Sequence, residues 1–237
     1  MLVAAAFCPS PPLLHPSVGT GIADEIEPLR AAAVAAVAAL ADGLDSVVTV
    51  GVAPRTGWYP ANARGSLAPL GIDLVLGRGT GPVELPGPLA LAAWLLDLAG
   101  YDGEVNPFGV ADDEDPRRLA SLGAGVADRK PRVGMLVMGD GSARRSEKAP
   151  GSLDPRAEQF DEDVVAALTA VDGPAITAID ATLAQELMVN GRVPWQLAAA
   201  ALAARPVMPD VSIRGARHYK DAPYGVGYAV VGWNERG

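Results

Sequence analysis

Met138-Gly139-Asp140-Gly141-Ser142-Ala143-Arg144-Arg145, set within residues 132–163, is the stretch whose reading decides the fold. Residues 132–138 read as a short buried strand, because Val133, Met135, Leu136, Val137 and Met138 form a nearly continuous apolar run bounded by Pro131 and the Gly139-Asp140-Gly141 turn. The strand stops abruptly. A polar loop with two adjacent arginines follows, then Pro150-Gly151, then a predicted helix over residues 155–171 whose first turns are rich in Asp and Glu. In an open α/β sheet the carboxyl end of a central strand is where ligands bind, and small residues followed by polar ones suit that place. Taken alone, Gly139-Asp140-Gly141 also reads simply as a tight turn.

Working outward, residues 2–7 form a plausible first strand, ending in a stiff loop in which three prolines precede His15 and one follows it. A helix is predicted from Glu27-Pro28 to residue 41, with Leu29, Val34, Val37 and Leu40 on its buried face. Residues 46–52 read as a second buried strand and residues 71–76 as a third. The third runs into Gly77-Arg78-Gly79-Thr80-Gly81-Pro82, taken as loop glycines because Pro82 and Pro86 break the helix that a dinucleotide-binding turn needs. Residues 89–98 read as a helix with Trp94 in the core, and 101–116 as a polar crossover. Its Asp112-Asp113-Glu114-Asp115 fits a solvated loop and helix start. Residues 175–179 read as a strand, 181–189 and 194–204 as helices, and 224–233 as a last strand. Strands separated by helices in this order predict a single α/β domain over residues 1–237. Its expected form is three-layered, with a mixed, largely parallel central sheet flanked by helices.

With 237 residues, 49% of them hydrophobic, the chain can bury a sizeable core. Its net charge of -9 argues against a nucleic-acid partner. The single cysteine, Cys8, rules out an internal disulfide and a Cys-rich zinc site, in keeping with a cytoplasmic location. The start does not read as a secretory or lipoprotein signal: no basic segment precedes the short apolar run, and bulky Phe7 stands at the cleavage position. No apolar run approaches the roughly 20 residues a membrane span needs.

Histidine is scarce. With only His15 and His218, two imidazoles on one metal would leave none for acid–base work, and a three-histidine zinc site is impossible. Ser142 lacks the nucleophile-elbow pattern, because Arg144 stands where a glycine is expected. His218, in Arg217-His218-Tyr219-Lys220, reads as an exposed histidine in a basic loop.

Four motifs in register, Pro11-Pro12-Leu13-Leu14-His15-Pro16, Val52-Ala53-Pro54, Gly139-Asp140-Gly141-Ser142 followed by Phe160-Asp161, and Pro223-Tyr224-Gly225-Val226-Gly227-Tyr228, resemble the class III extradiol ring-cleavage dioxygenase family. The resemblance spans nearly the whole chain. In active members, two histidines and a glutamate hold a non-haem ferrous iron and a further histidine is the acid–base catalyst of this oxidoreductase. The resemblance places His15 on the first metal ligand, the second histidine near Arg55, the acid–base histidine at Ala143, and the glutamate near Asn190 or Gly191, ahead of Trp195. It therefore implies a divergent member with a degenerate metal centre and either no cofactor or Fe(II).

The expected pocket lies between the loops of His15, Arg55 and residues 140–145, and its ligand is a small anionic or aromatic metabolite. There Arg55 and Arg144, with the turn amides around Gly139 and Gly141, hold an anion. Asp140 orients them, Ser142 donates a hydrogen bond, and His15 contacts the ligand or a metal. Two alternatives stand beside this reading. One is an active atypical dioxygenase or metal-dependent hydrolase using His15, His218 and Asp140 or Glu186. The other is a non-catalytic component of a hetero-oligomer; a homo-oligomer is equally compatible, and no membrane partner is expected.

Overall fold

The computed structural model describes all residues except 19, 20, 22, 78, 209, 210 and 237. In chain order the elements are β1 (Leu2–Cys8), α1 (Ala23–Leu40), β2 (Ser46–Val52), β3 (Gly57–Trp58), β4 (Arg64–Ser66), β5 (Val75–Leu76), β6 (Val83–Leu85), α2 (Gly87–Leu98) and β7 (Glu104–Val110). There follow α3 (Pro116–Ala127), β8 (Val133–Met138), α4 (Ala157–Ala170), α5 (Gly173–Thr177), α6 (Ala181–Glu186), α7 (Arg192–Ala203), β9 (Ser212–Asp221) and β10 (Tyr228–Arg236).

The main sheet has the order β3-β7-β2-β8-β1-β10-β9. Its centre, β7-β2-β8-β1, is parallel, while β3 at one side and β10 and β9 at the other run antiparallel to their neighbours. Every residue of β1 and β8 is buried, as continuous apolar runs in a doubly covered parallel sheet should be. Alternate side chains feed two cores. Phe7, Val48, Val50, Met135 and Val137 pack among α3 to α7, whereas Ala4, Ala6, Val47, Leu136 and Met138 pack against α1 and α2. Phe7 meets Trp233 edge to face at 4.5 Å, and the Trp233 indole N–H donates to the Leu168 carbonyl at 2.6 Å. This is the expected three-layer α/β arrangement. Because the connection leaving β1 crosses by α1 on one face and that leaving β8 by α4 to α7 on the other, a crevice opens at their carboxyl ends.

Four elements depart from the sequence reading. Residues 71–76 do not join the main sheet; only Val75–Leu76 is strand, in a separate three-stranded sheet of order β5-β4-β6. The glycine-rich loop after it includes Arg78, which lies outside the described residues. The crossover of residues 101–116 contains β7, hidden in the sequence by Asn106 and Pro107. The proline is tolerated because β7 is second from the edge, with only the two residues of β3 outside it. Residues 175–179 fall on α5, not a strand, since the Asp172 carboxylate caps Ala175 N–H and Pro174 starts the helix. Finally, the basic segment around His218 is not a loop but part of β9, and Pro223–Gly225 is a turn before β10. Pro28, expected in a first helical turn, sits inside α1. Asp115 caps α3 by accepting from Arg117 N–H, as the acidic cluster suggested. Among the described residues no helix is long and apolar enough to cross a membrane.

The end of β8 abuts the start of α7 backbone to backbone: a Cβ built on Gly139 would stand 2.4 Å from Gly191 Cα. Gly139→Ala should therefore lower the free energy of unfolding by about 1–3 kcal/mol, the cost of overpacking. Gly125→Ala, on an exposed helical position of α3 where a Cβ meets nothing within 4 Å, should raise it by about 0.5–1 kcal/mol. Urea denaturation of the two variants beside the parent chain reads both signs.

Candidate functional site

Past Met138 the backbone makes one more bond to β1, Gly139 N–H to the Cys8 carbonyl at 3.0 Å, and then turns out of the sheet. Asp140 fastens three loops together. Its carboxylate accepts from Ser10 N–H at 2.6 Å and from the Asn190 amide at 3.1 Å, its own N–H donates to Asn190 Oδ1 at 2.5 Å, and its carbonyl accepts from Gly191 N–H at 3.0 Å. Burial pushes the Asp140 carboxyl up to about 6, while the bonds from Ser10 and Asn190 pull the other way. No arginine or lysine pairs with it among the described residues.

The next two residues turn away from the crevice. Gly141 N–H donates to the Gly227 carbonyl and Gly227 N–H to the Ser142 carbonyl, both at 2.8 Å. Ser142 is fully buried; its N–H and its hydroxyl donate to the two carboxylate oxygens of Asp161 at 2.8 and 2.7 Å. Arg145 bonds Asp161 and Glu158 from the other side. Burial raises the Asp161 carboxyl despite these partners. The Ser142 hydroxyl is thus committed to Asp161 and is not presented to a ligand. A void of about 20 Å³ behind this turn has room for roughly one water and no more.

In front of the turn lies a cleft of about 480 Å³, at the carboxyl ends of β1 and β8. Its polar wall is Ser10, Asp140, Asn190 and Tyr228. The rest is apolar, chiefly Pro11, Pro12, Leu67, Leu91 and Val226, with Leu70 and Met188 at half exposure as its outer edges. Met188 holds a φ of 58°, a left-handed conformation costly for a residue with a Cβ. Asp140, Gly141 and Ala143 line this cleft; the other expected site residues do not.

His15 lies beyond the wall, its ring 4.9 Å from that of Trp94 and its Nδ1 accepting from Ser17 N–H. Burial, then the charge of Arg30, lowers its pKa. The loop after β1 delivers Ser10 to the cleft in its place, because Pro11–Leu14 folds into a short helical turn that carries His15 onward. Arg55 is exposed and rests over the Tyr59 ring at 4.2 Å. Arg144 donates to the carbonyls of Glu186 and Ser152. The anion clamp expected of these two arginines is therefore not assembled. His218 is exposed on β9 against Gly232, and among the described residues no three of His, Cys, Asp and Glu are grouped to hold a metal. Sequence reasoning missed Ser10 and Tyr228 as lining residues. Only their places, two residues past one strand and at the start of another, could have signalled them.

Because Asp140 titrates higher folded than the usual value of about 3.9 in an unfolded chain, the folded state takes up a proton between pH ~4 and ~6. Its ionisation thus costs stability increasingly as pH rises through that window, on the order of 3 kcal/mol in full above it. Carbon-13 shifts of the Asp140 carboxyl should show a midpoint near pH 6. Ser142→Ala should lower unfolding free energy by about 1–3 kcal/mol in urea, because an Asp161 oxygen loses its hydroxyl donor.

No family profile and no curated protein matches the chain. A crystal structure of an uncharacterized protein from Escherichia coli K12 superposes on it with a TM-score of 0.53, covering 97% of this chain and 99% of that one at 14% identity. The two share the fold, and at that identity the likeness carries nothing about function.

Proposed function

We propose that the protein is a dioxygenase-like binding protein whose cleft at the ends of β1 and β8 holds a compact, largely apolar metabolite, aromatic in the simplest case, without iron-dependent ring cleavage. The observation that carries this reading is the composition of the cleft wall. It offers one carboxylate, Asp140, and no imidazole, and the positions at which the dioxygenase resemblance implies an acid–base histidine and a metal-binding glutamate hold Ala143 and Asn190. A methyl group moves no proton and a neutral amide is a poor ligand for ferrous iron, so this wall does not fit the two-histidine, one-carboxylate centre. Its volume and its mostly apolar lining with a few converging polar groups match small-molecule sites. The strained Met188 at the rim is a further mark of a binding edge. An anionic ligand loses its support, since neither Arg55 nor Arg144 reaches the wall.

Two measurements test the proposal. With Fe(II) supplied anaerobically and oxygen then admitted, catechol should cause no oxygen uptake above the protein-free rate; steady uptake would overturn the loss of ring cleavage. Calorimetric titration with 2-phenylethanol should show binding that weakens at least tenfold in Gly87→Trp. Gly87 lines the cleft in the first turn of α2, and a Cβ there meets nothing within 4 Å, so a bulky side chain can fill space without forcing the backbone. Binding that is absent, or unchanged in Gly87→Trp, would remove the cleft as the site.

A further inference from the structure

The cleft wall contains a carboxylate without a counter-ion. Of the residues lining it, Asp140 is the only one that carries a formal charge at neutral pH; no Lys, Arg or His is among them. Asp140 is 9% exposed, and what it receives from the protein is one backbone N–H and one neutral amide, which leaves lone pairs of both oxygens uncommitted. Beside it, Tyr228 is 4% exposed and its hydroxyl has no hydrogen-bond partner among the described residues. Burial and the Asp140 charge both hold that phenol protonated, so its hydroxyl is a donor and an acceptor at any ordinary pH.

A carboxylate desolvated this far and left without a cation is unfavourable, and the missing partner is a positive charge brought by the ligand. A ligand hydroxyl would give a neutral donor only. An ammonium gives a charge-assisted bond, roughly twice as strong, and removes the uncompensated charge as well. The one opposing feature is the first turn of α2, whose partial positive charge faces the same cleft through Gly87 and Pro88. It is about half a charge at most against a full one, and Pro88 has no N–H to offer an anion.

We propose that the cleft selects a ligand bearing an ammonium group on a compact apolar body, with the ammonium seated on Asp140 and the body against the proline and leucine wall. This rests on the cleft being the ligand site and adds the chemical class of its occupant. Tyr228 Oη takes a second ammonium hydrogen, or its ring faces the cation.

Three probes of nearly one shape separate the possibilities by calorimetry on the full chain at pH 7.5: 2-phenylethylamine, 2-phenylethanol and phenylacetate. The amine should bind at least tenfold tighter than the alcohol, and phenylacetate weakest. In Asp140→Asn the amine's advantage should fall below threefold while the alcohol is still bound. An alcohol that equals or exceeds the amine, or phenylacetate as the tightest probe, overturns the ammonium assignment and leaves the cleft reading standing. No binding by any of the three overturns both, as does binding of all three that Gly87→Trp does not weaken. Should Asp140→Asn fail to fold, the order of the probes on the parent chain decides alone.

Discussion

The buried carboxylate of Asp161 is the constraint on which the carboxyl edge of the sheet depends. Projecting from α4, it takes the Ser142 N–H and hydroxyl on its two oxygens and is met by Arg145 from outside. Stripped of those donors it would be an uncompensated charge in the interior, so the turn after β8 and the carboxylate hold each other in place. The strand on the far side is fitted to the same group: a Cβ on Gly227 would come within 2.2 Å of Asp161 Oδ2, so only glycine lets the chain entering β10 approach this closely. Gly139-Asp140-Gly141-Ser142, Phe160-Asp161 and Gly225-Val226-Gly227-Tyr228, far apart in the chain, are one hydrogen-bonded unit. The proline-rich loop after β1 joins it through Ser10 N–H on Asp140.

The polar groups that hold this unit together are withdrawn from chemistry. Ser142 and Asp161 face each other, Arg145 faces Asp161 and Glu158, and Arg144 is occupied with two carbonyls. What is left at the cleft surface is Asp140, with capacity beyond its two structural bonds, and the Tyr228 hydroxyl. The same residues that make the turn rigid therefore determine how little reactivity the cleft wall displays, and why recognition is the better description of what it offers.

Much of this architecture was legible in the sequence. Continuous apolar runs gave β1, β2 and β8 nearly to the residue, and the punctuation after β8 located the crevice. The failures have particular causes. Pro107 disguised β7, and the charged residues of β9 looked like a loop because an outer strand needs only one covered side. Ala175-Ile176-Thr177 has a strand-like composition that Asp172 and Pro174 override from outside the segment. For the site, the Gly-Asp-Gly turn was placed correctly, yet which of its side chains turn inward is decided by Asp161, nineteen residues beyond Ser142. His15 drew notice because histidine is rare here. The geometry of the proline-rich loop was invisible, and it is that geometry which moves His15 behind the wall and brings Ser10 forward.

The outermost strand has a bearing on how copies of the chain behave in concentrated solution. β9 is ten residues long and pairs on one side only, with β10, a length at which bare peptide groups invite edge-to-edge growth into oligomers and fibres. It carries Arg214, Arg217, His218 and Lys220 in close succession, and Lys220 is tied back to Glu162 on α4. Two such edges brought together would meet cation against cation, so the basic run works as a guard against self-templated assembly on a sheet that otherwise ends unprotected.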